Sequence, residues 1–340
     1  MIANLFHDWE RRLAAVTSDR VVRPFEWGLD WVDASHTRPD GQHAPAEADV
    51  LRAWAREATR DSDRFYQVEA APTYEFDGHH LRYDSAVATP HPENNIVHAR
   101  VFRARDDGAR RAVVVLPQWN ADAEGHVGLC HLFARFGISS VRLSLPYHDR
   151  RMPPELRRAD YIVSANVGRT VQVCRQAVLD ARRAVLWLRA QGYERIGIVG
   201  TSLGSCLAML TAAHEPLIRA AAFNHVSPWF ADVVWDGLST EHVRQGFDGQ
   251  ITLELLRDLW LPISPFPFMG RVRGKKLLVV YAKYDLSFPM ALSKRFTEEF
   301  DAHGIEHERF VLPCGHYSLG KPPFNWMAAF AVTRFFRNRL

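Results

Sequence analysis

The clearest pattern along the chain is an alternation of short apolar runs with longer amphipathic stretches after residue 110. The run from Ala112 to Leu116 is continuously apolar, which is typical of a strand buried on both faces of a parallel sheet. The same kind of pattern predicts strands at ISSVRLSL, RIGIVG, AAAFNHV, KLLVVYAKYD and HERFVLP, and helices over 125–136, 167–191, 203–213, 290–303 and 325–337. This alternation predicts right-handed crossovers and an α/β fold with a doubly wound, mostly parallel sheet.

The part of the chain before this alternation is less regular. TYEF and NIVHARVFRA predict two strands ahead of Ala112, whereas His79 and His80 follow the turn-like pair Asp77-Gly78 and predict a solvated loop. Helical spacing of apolar residues predicts one helix over 46–60, after a loop-like segment from Pro39 to Pro45. We therefore expect a main domain over residues 71–340, with residues 1–70 as an N-terminal extension packed on it.

Functional residues in such sheets gather at the carboxyl ends of the strands. At the end of RIGIVG the chain reads Gly200-Thr201-Ser202-Leu203-Gly204, a complete G-x-S-x-G motif between a predicted strand and a predicted helix. This setting is typical of a nucleophile elbow, in which a strained turn exposes the serine hydroxyl. The alternative is an ordinary glycine-rich turn in which Ser202 caps the helix.

A serine nucleophile needs a base, and the base needs a group that orients it. Two later strands end at suitable residues, one at Asp285 and the last at Cys314-Gly315-His316. The order serine, acid, histidine matches this elbow, so we predict His316 as the general base and Asp285 as its partner. Asp232 and Asp236 follow the preceding strand and are the alternatives for the acid.

Acyl transfer also requires two backbone N–H donors for the oxyanion. The Leu203 N–H, immediately after the nucleophile, is the first candidate. The second is expected from the loop Leu116-Pro117-Gln118-Trp119-Asn120, where Trp119 or an immediate neighbour would donate.

These residues together resemble a serine hydrolase of the α/β-hydrolase superfamily, over roughly residues 70–340. More narrowly, the segments LPQWN, LPYHDRR, GTSLGS, NHVS, DLWLPISP and LPCGHYSLG resemble the abhydrolase domain-containing 18 branch. The resemblance implies a fold and a Ser-His-Asp triad. It implies no substrate, because this fold hosts many chemistries.

Four residues are candidates for substrate binding: Gln118, His148, Trp229 and Trp260. His148 lies in a loop after a strand, where it or Arg150 could line the substrate pocket. An ion pair between Asp149 and a neighbouring arginine is an equal alternative for this loop. The two tryptophans lie in the aromatic-rich segment 224–270, which is longer than a simple crossover requires. We expect this segment to form a helical cap over the site, and the alternative is a core extension packed away from it.

Composition excludes several classes of protein. The net charge is only +3, from 42 basic and 39 acidic residues, so nucleic acid is not an expected partner. The four cysteines are far apart and predict reduced thiols, and Asp8 and Glu10 interrupt what would be a signal sequence. No run approaches the roughly 18 apolar residues of a membrane span. We expect a cytoplasmic protein without an integral membrane segment.

Cys314 and His316 are the only hint of a metal pair, and no further cysteine or histidine lies at ligand spacing. The prediction is therefore a hydrolase without a metal or other cofactor, which cleaves small carboxylic esters through an acyl-enzyme. An amide or small-peptide hydrolase with the same triad and a non-catalytic binding protein of this fold are the alternatives. The sequence does not indicate the oligomeric state.

Overall fold

The computed structural model describes residues 2–17, 19–33, 46–106 and 108–340 of the chain. Its centre is a nine-stranded sheet with the order β1-β2-β3-β5-β4-β6-β7-β8-β9. The six strands from β5 to β9 in this order pair in parallel, and β1, β2 and β3 extend the sheet by antiparallel pairing. The strands are β1 Glu75–Phe76, β2 His80–Asp84, β3 Ile96–Phe102, β4 Arg111–Leu116, β5 Ser139–Leu143, β6 Arg195–Thr201, β7 Ile218–Asn224, β8 Lys276–Ala282 and β9 Glu308–Leu312.

Helices cover both faces of this sheet. The helices are α1 Ile2–Ala15, α2 Glu47–Arg60, α3 Ser62–Phe65, α4 Val127–Arg135, α5 Val167–Ala190, α6 Leu203–His214, α7 Phe230–Asp236, α8 Glu241–Phe247, α9 Leu253–Leu259, α10 Met290–Ala302 and α11 Phe324–Arg339. No helix among the described residues is both long enough and apolar enough to span a membrane.

The side chains of β4 show how the two faces are filled. Val113 and Val115 point into the core shared with α4 and α11, whereas Val114 and Leu116 point into the larger core shared with α5 and α6. A strand buried on both faces reads as a continuous apolar run, which is why this strand is apparent from the sequence. The predicted doubly wound, mostly parallel α/β sheet is confirmed.

Two elements depart from the sequence predictions. His80 begins β2 instead of lying in a loop, because Leu81 and Tyr83 alternate inward and pair this segment with β3. The first helix, α1, falls in a part of the chain for which no helix is predicted, and it packs against the turn at 318–320. The loop predicted from Pro39 to Pro45 lies outside the described residues.

The segment 224–270 forms α7, α8, α9 and short 3-10 turns. Its aromatic residues Phe230, Phe247, Trp260 and Phe268 are buried in the larger core. The helix α9 packs against α2, and α2 also contacts the turn at 261–263. Much of this segment therefore packs on the N-terminal region and on the core below it.

Candidate active site

Ser202 stands on a sharp turn between β6 and α6, with φ 57° and ψ −122°. Positive φ is costly for a serine, and such strain persists only where the surroundings impose it. The Ser202 N–H donates to the Asn224 carbonyl at 2.8 Å, which ties the turn to the end of β7. A Cβ atom at Gly200 would overlap the Gly204 carbonyl, and one at Gly204 would overlap the Leu116 carbonyl. Close packing of strand and helix therefore accounts for both glycines of the motif.

His316 lies in the loop after β9, which we call the His316 loop (residues 313–320). Its Nδ1–H donates to Asp285 Oδ2 at 3.0 Å, which leaves Nε2 free to accept a proton. The other Asp285 oxygen accepts from the N–H groups of Ser287 and Phe288, each at 2.7 Å. The Phe288 ring stacks on the imidazole at 5.6 Å between ring centroids. The structure thus orients His316 through Asp285 and packs it from one side.

Burial alone would raise the pKa of the Asp285 carboxyl, but the neighbouring imidazoles of His316 and His225 reverse this and hold the pKa well below its usual range. Burial lowers the pKa of His316, and the Asp285 carboxylate more than offsets this, so the His316 pKa is raised above its ordinary value of 6.5. The pair is therefore a carboxylate that stays ionised and an imidazole of increased basicity.

The alternative acids lie elsewhere. Asp232 binds the Arg257 guanidinium through both carboxylate oxygens, at 2.6 and 3.0 Å. Asp236 is exposed at the end of α7. Of the three aspartates, the structure places Asp285 against His316.

His225, which lies one residue beyond β7, is a site residue that sequence reasoning missed. Its Nδ1 is 2.6 Å from the same Asp285 oxygen that binds His316, and the two imidazole centroids are 4.7 Å apart. The two imidazoles thus share one carboxylate oxygen as a close charged neighbour. Burial lowers the pKa of His225 more than Asp285 raises it. Its strand-end position, next to Asn224, is the sequence signal that could have indicated it.

Glu10 of α1 is the second residue that sequence reasoning missed. It is fully buried, and its carboxylate accepts from the N–H groups of Tyr317 and Ser318, each at 2.8 Å. A Cβ atom at Gly315 would overlap this carboxylate, which accounts for the glycine before His316. The N-terminal helix therefore supports the loop that carries the histidine.

The two expected oxyanion donors lie at the start of α6 and in the loop after β4. The N–H groups of Leu203 and Trp119 have no hydrogen-bond partner among the described residues. The Trp119 indole N–H donates to the Ala159 carbonyl at 2.9 Å, and the next residue, Asn120, donates its N–H to His148 Nε2 at 2.9 Å. Both N–H groups are thus available to a ligand, and the loop that carries Trp119 is fixed from behind.

His148 is buried behind this loop instead of lining the cavity. Its Nδ1–H donates to the Pro146 carbonyl at 2.8 Å, so Nε2 is the acceptor for Asn120. Burial lowers the His148 pKa to about 4, which keeps the ring neutral. The ion pair of this region joins Arg151 to Asp180 of α5 at 2.9 Å instead of involving Asp149, because Arg151 points inward and is fully buried.

A cavity of about 1060 Å³ opens at Ser202. Ser202, His316, His225, Gln118 and Trp119 all line it. Among the other predicted substrate-binding residues, Trp229 stacks on Phe266 outside this wall, and Trp260 is fully buried with its indole N–H on the Val167 carbonyl. From the segment 224–270, the wall receives Asn224, His225 and Ser239. Neither Trp229 nor Trp260 therefore lines the cavity at Ser202.

The thiols and possible metal ligands add no second reactive centre within the described part of the chain. Burial raises the pKa of Cys206 to about 11 and that of Cys314 to about 12. His225, Asp285 and His316 are the one group of described residues with the chemistry and proximity of a metal site. The Nδ1 atoms of His225 and His316 lie 2.6 and 3.0 Å from Asp285 Oδ2, so each imidazole contacts the carboxylate directly. We therefore treat the three side chains as mutual partners.

Comparison with known proteins supports the fold. No family model matches the sequence, and a search of curated proteins also gives no match. Among solved structures, the acylaminoacyl peptidase of Pyrococcus horikoshii is 16% identical with a TM-score of 0.60, over 82% of this chain and 43% of that chain. The present chain therefore spans less than half of the length of that peptidase.

Two esterases match over nearly their whole length. Acetyl xylan esterase 1 of Thermoanaerobacterium sp. is 14% identical with a TM-score of 0.59, over 89% of this chain and 96% of that chain. The acetyl xylan esterase of Paenibacillus sp. R4 is also 14% identical, with a TM-score of 0.61, over 90% and 98% of the two chains. At this level of identity the likeness shows the fold, which is that of the α/β-hydrolases.

Proposed function

We propose that this α/β-hydrolase-fold chain is a serine hydrolase that cleaves carboxylic esters through an acyl-enzyme. One observation carries the proposal: Ser202, on a strained elbow, lines the same cavity as His316, whose Nδ1–H donates to Asp285 at 3.0 Å. A nucleophile, a base and an orienting carboxylate in this relation are the arrangement that activates a serine hydroxyl.

In the proposed reaction, Ser202 Oγ attacks the ester carbonyl carbon as its proton passes to His316 Nε2. The carbonyl oxygen becomes an oxyanion, and the N–H groups of Leu203 and Trp119 are its donors. His316 then returns the proton to the leaving alcohol, and the acyl group remains on Ser202. Water, deprotonated by the same imidazole, releases the acid and restores the serine.

We propose esters rather than amides as the substrate class because the chain matches the esterases over more of their length than it matches the peptidase. The acetyl xylan esterases are covered for 96% and 98% of their length, whereas the peptidase has more than half of its length without a counterpart here. An amide or small-peptide substrate would pass through the same oxyanion and remains the alternative substrate class. Gln118, which lines the cavity beside Trp119, is the proposed substrate contact.

The narrower resemblance, to the abhydrolase domain-containing 18 branch, also stays a proposal. Five of its segments contain Trp119, His148, Ser202, His225 and His316. Four of these residues line the cavity, and His148 supports the loop of Trp119. Five of the six segments that carry the resemblance therefore contribute residues to one site or its support.

Covalent labelling tests the proposal. We expect a fluorophosphonate to add once to the wild-type protein, with the adduct on Ser202 by peptide mass spectrometry, and we expect none on Ser202→Ala. Ser205→Ala is the matched control, because the Ser205 hydroxyl is buried and bonded to the Ser202 and His225 carbonyls. Labelling that persists in Ser202→Ala, or wild type that stays unlabelled beside a reactive control hydrolase, would contradict the proposal.

The acid limb of the pH profile provides a second test. Hydrolysis requires neutral His316, whose pKa is raised by Asp285, so kcat/KM should fall as the pH drops through a midpoint above 6.5. Asp285→Asn should move this midpoint to lower pH. His303→Gln, at an exposed histidine that directly follows α10, should leave this midpoint in place. A wild-type midpoint below 6.5 would show that His316 is not the titrating base.

A further inference from the structure

The cavity at Ser202 has an unbalanced lining of charge. Three arginines, Arg20, Arg135 and Arg158, line its wall. Within the part of the chain that the structure describes, no aspartate or glutamate side chain does so. The two acids nearest the reaction are already bonded: Asp285 to His316, and Glu10 to the backbone of the His316 loop. A cavity with one sign of charge favours ligands of the opposite sign.

Arg20 is a part-buried arginine of the wall without a carboxylate partner among the described residues, whereas Arg135, which also has no ion pair there, is exposed to solvent. Arg20 Nη2 donates to the Tyr317 hydroxyl at 3.0 Å and to the Ala14 carbonyl at 3.2 Å, and both acceptors are neutral. Its Nε is buried and has no hydrogen-bond partner in the described part of the chain. The ion pairs of this region within the described residues join Asp19 and Asp160 to Arg158 and Arg23, and none includes Arg20. The Tyr317 ring lies 5.8 Å from the His316 imidazole between centroids, so Tyr317 connects this guanidinium with the loop of the proposed base.

Arg158 differs because it is paired. Its Nη1 binds Asp19 at 3.0 Å, and its guanidinium lies over the Trp119 ring at 5.5 Å. Asp160 is 3.7 Å from Arg158 and 3.0 Å from Arg23. Arg20, Arg23 and Arg158 thus face two carboxylates, Asp19 and Asp160, which leaves one positive charge. The pairing places that charge on Arg20.

We infer that the substrate bears a carboxylate and that Arg20 binds it, an inference that rests on the proposed hydrolase function. The planar fork of a guanidinium matches a carboxylate with two parallel hydrogen bonds. Both hydrogen bonds that Arg20 makes within the described residues come from Nη2, so Nη1 is the donor left for a ligand. A carboxylate would also remove the cost of a part-buried guanidinium without a counter-charge. Arg20 would then determine specificity, while Ser202 and His316 act on the ester.

The test uses two pairs of esters that differ in one charge. In the first pair, mono-p-nitrophenyl glutarate has a carboxylate on the acyl group, and its methyl ester has no charge there. 4-Carboxyphenyl acetate and its methyl ester differ in the same way on the leaving group. We expect kcat/KM to favour the anionic member of at least one pair by about 10- to 100-fold, the range typical of hydrogen bonds to a charged group. The pair that shows the preference identifies the side of the scissile bond that Arg20 contacts.

Two variants connect this preference with Arg20. In Arg20→Gln the anionic-to-neutral ratio should fall to near one, and Arg20→Lys should restore part of it. Arg195→Gln removes an equal charge at the opposite end of β6 and should leave the ratio unchanged. An equal rate on both members of each pair, or a preference that survives in Arg20→Gln, would overturn the inference.

Fluorophosphonate labelling of Ser202 is measured in every variant, so that the two proposals can fail separately. If wild type is labelled and hydrolyses esters without charge preference, the carboxylate inference alone is wrong. If Ser202 is not labelled, the hydrolase proposal is wrong. If Arg20→Gln does not fold, raised salt in wild type replaces it, and a preference that fails to decline with salt counts against the inference.

Discussion

Asp285→Asn is expected to lower kcat by about 10⁴-fold with little change in KM, a loss typical of a triad that loses its carboxylate. The Asp285 carboxylate accepts from His316 Nδ1–H at 3.0 Å and so selects the tautomer with a free Nε2. An asparagine can present its NH₂ group instead, which would draw the other tautomer and leave no base toward Ser202. Steady-state kinetics on an activated ester measures the effect.

Asp232→Asn and Asp236→Asn are the matched controls for this prediction. Each removes one carboxylate from α7, and neither carboxylate contacts His316. Asp232→Asn weakens the pair with Arg257 and is expected to affect stability more than kcat. Thermal unfolding of all three variants separates lost folding from lost chemistry. A larger loss of kcat at Asp232 or Asp236 would transfer the role of the acid to that residue.

Glu10→Ala is expected to lower the free energy of unfolding by about 2 to 6 kcal/mol. The Glu10 carboxylate accepts from two N–H groups, of Tyr317 and Ser318, and a buried donor left without a partner costs about 1 to 3 kcal/mol. Because these donors belong to the His316 loop, the rate of fluorophosphonate labelling at Ser202 should fall as well. Denaturant unfolding and labelling kinetics measure the two effects.

Asp8→Ala provides the comparison on the same helix. Asp8 pairs with Arg11 at the surface, and its side chain is 65% exposed. Exposed pairs of this kind contribute about 0 to 1 kcal/mol, so both stability and labelling should stay close to wild type. Equal effects of Glu10→Ala and Asp8→Ala would show that the buried carboxylate does not support the loop.

Four of the strands that build the site are predictable from the sequence because each faces a core on both sides, whereas β9, which leads to His316, is mostly exposed. In β4, β6, β7 and β8 nearly every side chain is buried, so the apolar run itself carries the signal. The positions of Ser202, Asp285 and His316 then follow from where parallel strands end. The order of the strands therefore brings these three residues to the same edge of the sheet, and the local sequence pattern indicates where each strand ends.

Other residues of the site depend on contacts that local pattern does not contain. Glu10 reads as an ordinary acid in a charged stretch, and its partners lie about 300 residues later. His148 follows a strand as a ligand-binding residue would, but only the direction of its ring shows that it supports Asn120 instead. Such roles are determined by tertiary packing and leave little trace in the nearby sequence.

The aromatic segment 224–270 shows the same limit. Its composition correctly implies burial, yet burial alone does not identify the surface against which a ring packs. The Trp260 ring contacts Phe230 and Phe247, and its indole N–H reaches the start of α5. A helical pattern can predict α9, but it does not indicate that α9 packs against α2.

The contact between Glu10 and Tyr317 joins positions 307 residues apart, and this separation affects how the protein is made. On a ribosome, α1 emerges before the segment after β9, and the Glu10 carboxylate meets Tyr317 and Ser318 only when that segment has also emerged. Contacts this distant in sequence form late, because a long chain must first close on itself. We therefore expect a nascent polypeptide to gain reactivity at Ser202 only after the His316 loop has met α1.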